Sequence, residues 1–139
     1  MSRRDDERRD AAFVLYESEI SGKAPDEVLD EGDQGPLARS LVAAVLANRG
    51  ELEGLIARNA VGWDLDRIAA LERSVMLVAL AEVAHPEMVD SRSPIPPAGA
   101  IDAAVEVAKE YCGSQAPAFV NGVLDAAVGE LGQNPGPDG

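Results

Sequence analysis

A single cysteine and a single histidine serve all 139 residues. Cys112 has no partner within the chain, so an intrachain disulfide is excluded, and one thiol cannot build a thiolate metal cluster. His85 cannot build a histidine metal cluster by itself. As a general base it would need a nucleophile and an orienting carboxylate in defined geometry, and the proline-rich surroundings that hold Glu87 and Asp90 define none. Aromatic residues make up only 4% of the chain, too few for an aromatic-rich sandwich. Positive charge is also scarce: 12 basic residues face 25 acidic ones, a net charge of −13. Such a balance repels nucleic acid at long range unless cations are gathered locally. Residues 1–62 hold 8 basic and 13 acidic residues, and residues 63–139 hold 4 and 12, so neither half is basic. The longest wholly apolar run, Val75 to Ala81, is far too short to span a bilayer. The opening residues lead into no apolar signal core. No glycine-rich phosphate loop occurs. These absences lead us to expect a cytoplasmic protein without membrane association, catalytic residues, metal or cofactor.

What is present is helical periodicity and much alanine, which suits closely packed helices. Ala12, Phe13, Tyr16 and Ile20 share a face in a stretch that stops before Gly22. The segment from Gly22 to Pro36, with five acids, predicts a solvated loop with one helical turn at Val28 and Leu29. Leu37, Leu41, Val45 and Leu46 mark a second helix, and Leu52, Leu55 and Ile56 a third. Their short connection predicts an antiparallel pair. Leu71 to Val83 is apolar almost all round, as befits a helix at the centre of a bundle. His85-Pro86 ends it, and the four prolines of the segment from Pro86 through Pro97 predict a loop. Ile101, Ala104, Val105 and Ala108 define the next helix. Phe119, Val120, Val123, Leu124 and Ala127 define the last, with Pro117 in its first turn. No β alternation is seen. The fold expected is all-α, about seven helices in two small bundles: residues 1–62, residues 63–131, and a disordered tail at 132–139.

The one concentration of cations is Arg3, Arg4, Arg8 and Arg9. On a helix, Arg4 and Arg8 stand one turn apart and can reach successive phosphates. Asp5, Asp6, Glu7 and Asp10 cancel that charge locally, so the residues alone leave open a salt-bridged helix or an RNA face. Glu106 with Lys109, and Asp64 with Arg67, are spaced for surface pairs. Cys112 reads as a small packing residue.

Two segments add to this reading. WDLDRIAALERSVMLVALAEV, residues 63–83, and IDAAVEVAKEYCGSQAPAFVNGVLDA, residues 101–126, resemble the C-terminal half of NusB proteins. The run from Phe119 to Asp125 is the most specific part. The arginines followed by AAFVLYESEISG resemble the family's first helix. The resemblance implies two helical bundles and a role in transcription antitermination. It implies pairing with NusE, a ribosomal protein, binding of boxA-type single-stranded RNA, and work within the RNA polymerase antitermination complex.

By the same resemblance, Arg4 and Arg8 match an RNA-contacting arginine segment that also includes Arg3 and Arg9. Phe119 matches an aromatic beside the RNA path, with Gln115 in the loop before it. Tyr16 and Glu82 match positions facing NusE. The chain departs from the family where Asp5 and Asp6 interrupt the basic run. It departs again where Pro97 and Ala98 stand in place of a frequent Tyr-Lys pair, and where Ala118 replaces a common lysine. Two other functions fit the residues: a helical protein-interaction module, and an accessory domain of an RNA methyltransferase system, with weak or no RNA binding alone. A homodimer through the apolar surfaces that bind partners is a further expectation.

Overall fold

The computed structural model describes residues 3–90 and 95–133, with side chains from Arg4 to Gly132. It contains seven α-helices: α1 (Arg3–Ser21), α2 (Pro25–Glu31), α3 (Pro36–Ala47), α4 (Arg49–Asn59), α5 (Ala70–Ala84), α6 (Pro97–Tyr111) and α7 (Ala116–Gln133). Two 3-10 turns, Leu65–Arg67 and Pro86–Met88, flank α5. No strand occurs among the described residues. The last helix runs through Gln133, two residues into the expected tail, and residues 134–139 lie outside the described residues.

Proline and glycine set the helix boundaries. Pro25, Pro36 and Pro97 open α2, α3 and α6, where the missing N–H costs nothing and the fixed φ suits the first turn. Gly22 closes α1 at φ 78° and Gly62 follows α4 at φ 84°, a left-handed conformation that favours glycine. His85 ends α5, as the His85-Pro86 step predicts.

The centre of the molecule is α5, whose residues from Arg73 to Glu82 are all buried. It packs against α1, α3, α4, α6 and α7. Its own Met76, Leu77 and Leu80 are fully enclosed, as are Leu41, Leu52, Ile56 and Leu124 of the surrounding helices. Each contributes roughly 1.5–3 kcal/mol of apolar transfer. Ala11, Ala38, Ala44, Ala81, Ala108 and Ala127 have no exposed surface and allow the helix axes to approach closely.

One expected pairing does not form. Asn48 alone joins α3 to α4, with its side-chain amide donating back to Ala44 O at 2.9 Å. A one-residue hinge cannot reverse the chain, so α3 and α4 touch only near their junction. Instead α4 lies on α5 and α7. Arg58 clamps it there, donating from Nη2 to Glu130 Oε2 at 2.6 Å, while Asn59 Nδ2 donates to Glu130 Oε1 at 3.0 Å.

Candidate nucleic-acid interface

The arginine-rich start of α1 is largely committed to the fold. Arg8 is 7% exposed. Its Nε donates to Glu82 Oε1 and its Nη2 to Glu82 Oε2, both at 2.7 Å, and Nη1 reaches Asp5 at 3.0 Å. The apolar stripe of α1 through Ala11, Ala12 and Leu15 faces α5, and Arg8 lies on that stripe one turn earlier. The side chain expected to share an RNA face with Arg4 therefore points into the molecule. Glu82, expected to face a partner protein, is its buried counter-ion, at 5% exposure.

The remaining members of the run are placed as follows. Arg9 is half-buried and paired with Asp6 at 3.5 Å and Asp10 at 3.3 Å. Arg4 is half-buried and engaged, and the side chain of Arg3 lies outside the described residues. Glu7 accepts the backbone N–H groups of Leu37 and Ala38 at 3.1 and 3.3 Å. An acid of the first helix thus caps α3, whose N-terminus favours negative charge. A Cβ on Gly35 would come within 2.1 Å of that carboxylate, so the cap depends on glycine there.

The expected aromatic and amide contacts come together elsewhere. Phe119 and Gln115 line an open cleft of about 670 Å³ with Trp63, Arg67 and Glu72. Trp63 is 51% exposed and meets Phe119 edge to face, with ring centroids 5.8 Å apart. Arg73 holds the wall that carries Trp63 and Arg67. Its guanidinium donates to the carbonyls of Leu65 at 3.1 Å and Ile68 at 2.9 Å, and it pairs with Glu19 of α1. Arg67 is exposed and makes no ion pair among the described residues. The expected Asp64–Arg67 pair is absent, whereas Glu106 and Lys109 do pair, at 3.7 Å. An exposed indole and a half-buried phenyl ring beside an uncommitted guanidinium and an amide suit stacked bases and a phosphate.

Sequence reasoning singled out neither Trp63 nor Arg67 as site residues. The available signal was the only tryptophan of the chain, standing just after the helix-ending Gly62 and so held at a surface.

Tyr16 is half-exposed and lines a groove of about 490 Å³ with Asp10, Glu17, Ile20 and Gln34. His85 contacts Glu51 at 2.6 Å and Glu87 at 3.5 Å, tying the end of α5 to the first turn of α4. Burial, reinforced by the charge of Glu72, pushes the Cys112 thiol up, which keeps it protonated and unreactive at neutral pH. Among the described residues no group of three or more His, Cys, Asp or Glu side chains is placed to hold a metal ion. No described helix is long and apolar enough to cross a membrane.

The fold and the cleft define a small all-helical protein whose exposed chemistry is that of a binding surface. The NusB family model matches residues 5–128, and the chain belongs to the NusB family. It is 32% identical to the transcription antitermination protein NusB of Rubrobacter xylanophilus, over 94% of this chain and 93% of that protein. Its fold matches the NusB of T. maritima with a TM-score of 0.80 and 26% identity, covering 94% of this chain and 93% of that one. It also matches a structure of the antitermination factors NusB and NusE in complex with double-stranded RNA. There the TM-score is 0.76 and the identity 26%, over 94% of this chain and all of that one.

Proposed function

We propose that the protein is a transcription antitermination factor of the cytoplasm. It is a non-catalytic adaptor that pairs with a NusE-type ribosomal protein, binds boxA-type single-stranded RNA and joins the antitermination complex of RNA polymerase. The observation that carries this reading is the cleft in which Trp63, Phe119, Gln115 and Arg67 converge in a chain of the NusB family. The related structure that holds NusB with NusE and RNA supports it. The cleft would hold bases by stacking, with Arg67 on the backbone. Tyr16 and its groove are proposed for the protein partner. Arg4 and Arg9 remain proposed RNA contacts at the edge of α1, and Arg8 acts by holding α1 on α5.

Because the net charge is −13 and the arginine run is internally paired, the complex with a basic partner is the competent RNA binder. Titration of boxA-type RNA into the chain and into its complex with the partner tests this. The complex should bind more tightly and with the steeper salt dependence. Phe119→Ala should weaken it about five- to hundredfold, the equivalent of roughly 1–3 kcal/mol per stacked base. The compensated arginines favour a second reading, a protein-interaction module without RNA binding, and absence of RNA binding by the complex would establish that alternative.

A further inference from the structure

The two walls of the cleft differ in kind. One is the start of α7, which carries Gln115 and Phe119. The other is the irregular segment between Gly62 and Ala70, which carries Trp63 and Arg67. That segment holds a single 3-10 turn, Leu65–Arg67, so its own backbone bonding does little to fix its place. Among the described residues, one side chain alone hydrogen-bonds to its backbone. Arg73 Nη1 donates to the carbonyl oxygens of Leu65 at 3.1 Å and Ile68 at 2.9 Å, residues that bracket Arg67. Arg73 Nη2 donates to Glu19 of α1. One guanidinium thus gathers three acceptors from two distant parts of the chain.

A cation is unfavourable at this place. Arg73 is the fourth residue of α5, near the helix end whose dipole is positive. It is only 8% exposed, so desolvation adds to the cost. An apolar side chain of similar length would serve packing at least as well. What it would lack is the planar fork of donors, which fixes two carbonyls and a carboxylate in one geometry. That fork acts on the stretch of chain that presents Trp63 and Arg67.

We propose that Arg73 is a positioning residue for RNA binding, an assignment that rests on the reading of the cleft as an RNA site. It touches no RNA. It ties the wall of Trp63 and Arg67 to α1 and α5 and so sets that wall at a fixed spacing from Phe119. A wall held in place before RNA arrives spares the complex the cost of ordering it. Without the fork, Trp63 leaves its edge-to-face contact with Phe119, whose centroid distance is 5.8 Å. Arg67 moves with the same segment. A stacked base and its phosphate then lose their partners together.

Trp63 is the only tryptophan, so its fluorescence anisotropy and acrylamide quenching report the wall without RNA. In Arg73→Gln, with helix content held by circular dichroism, Trp63 should lose anisotropy and open to the quencher. With the NusE-type partner present, the variant should bind boxA-type RNA about five- to hundredfold more weakly, the range for one lost stacked base. A double-mutant cycle separates positioning from a general weakening of the fold. In a Trp63→Ala, Arg67→Ala background the wall has nothing left to present. Adding Arg73→Gln there should lower the affinity by no more than about twofold. An Arg73 that touches RNA, or that acts only on the fold as a whole, would lower it as much there as in the wild type. That result, or an unmoved Trp63 signal, overturns the role of Arg73 and leaves the RNA cleft standing. If the Trp63→Ala, Arg67→Ala protein binds RNA like the wild type, the cleft is not the RNA path and both readings fall. Should Arg73→Gln fail to fold, Arg73→Lys takes its place under the same outcomes, since it keeps the charge and loses the fork.

Discussion

Arg8 of α1 and Glu82 of α5 meet as a doubly hydrogen-bonded pair, both contacts at 2.7 Å, with both side chains almost wholly removed from solvent. Neither is available to a ligand while the pair is intact. Breaking one side strands the other charge in the interior. Arg8→Ala should therefore cost about 3–5 kcal/mol in urea unfolding. The double replacement Arg8→Met with Glu82→Leu removes both charges and should be far milder. An Arg8→Ala protein with wild-type stability would show that the pair does not hold α1 on α5. RNA assays on Arg8 variants need this comparison, because loss of binding would otherwise reflect unfolding.

Arg67 behaves differently. It is exposed and has no ion pair among the described residues, so Arg67→Ala should change stability by no more than about 0.5 kcal/mol. If the guanidinium takes a phosphate, the same variant should lower the slope of log K against log salt by ~0.7. An unchanged slope would remove Arg67 from the RNA path.

Burial raises the folded-state pKa of Glu72 above its usual value. The ionised form is thus disfavoured in the folded state at neutral pH, and that penalty disappears as the pH falls below the ordinary carboxylate range. Glu72→Gln should stabilise the protein at neutral pH by a few tenths of a kcal/mol, about 0.5 at most after solvent screening. The gap should close in acid. Paired denaturation curves at neutral and acid pH measure it. A destabilised Glu72→Gln protein at neutral pH would mean that the attraction of the α5 N-terminus for the carboxylate outweighs the cost of its burial.

Glu130 has the opposite sign. Its hydrogen bonds from Arg58, then Asn59, hold its pKa below the usual value. The clamp between α4 and α7 is therefore fully present above the ordinary carboxylate pKa and is lost as the pH falls through the folded value. The side-chain amide signal of Asn59 should report this release in an NMR titration, and Glu130→Gln should abolish the transition. A titration of Glu130 at or above the normal pKa would contradict the pairing.

The helices were legible because burial here follows a 3.6-residue period, and the central position of α5 followed from its nearly continuous apolar surface. The packing of α4 was not legible, since loop length suggests which helices are neighbours but not whether a single residue such as Asn48 can turn the chain back. Phe119 and Gln115 were found through the family-like run that begins at Phe119. Trp63 and Arg67 sit in a short irregular segment without periodicity, and only the tertiary contact with α7 joins them to Phe119. Arg8 shows a different failure. Its charge suggests solvent, yet its spacing to Ala11, Ala12 and Leu15 puts it on the buried stripe. The lone Glu82 inside an otherwise apolar stretch of α5 was the matching sign.

The separation of Arg8 from Glu82 by 74 residues also has a meaning during synthesis. The first helix leaves the ribosome long before the helix that covers it. At ~5–20 residues per second, the wait is roughly four to fifteen seconds. Throughout that interval the face of α1 carrying Ala11, Ala12 and Leu15 lacks the cover of α5, and Arg8 has no Glu82 to meet. The native packing of the first helix is therefore completed only after α5 has been made, however strong the helical propensity of α1 itself.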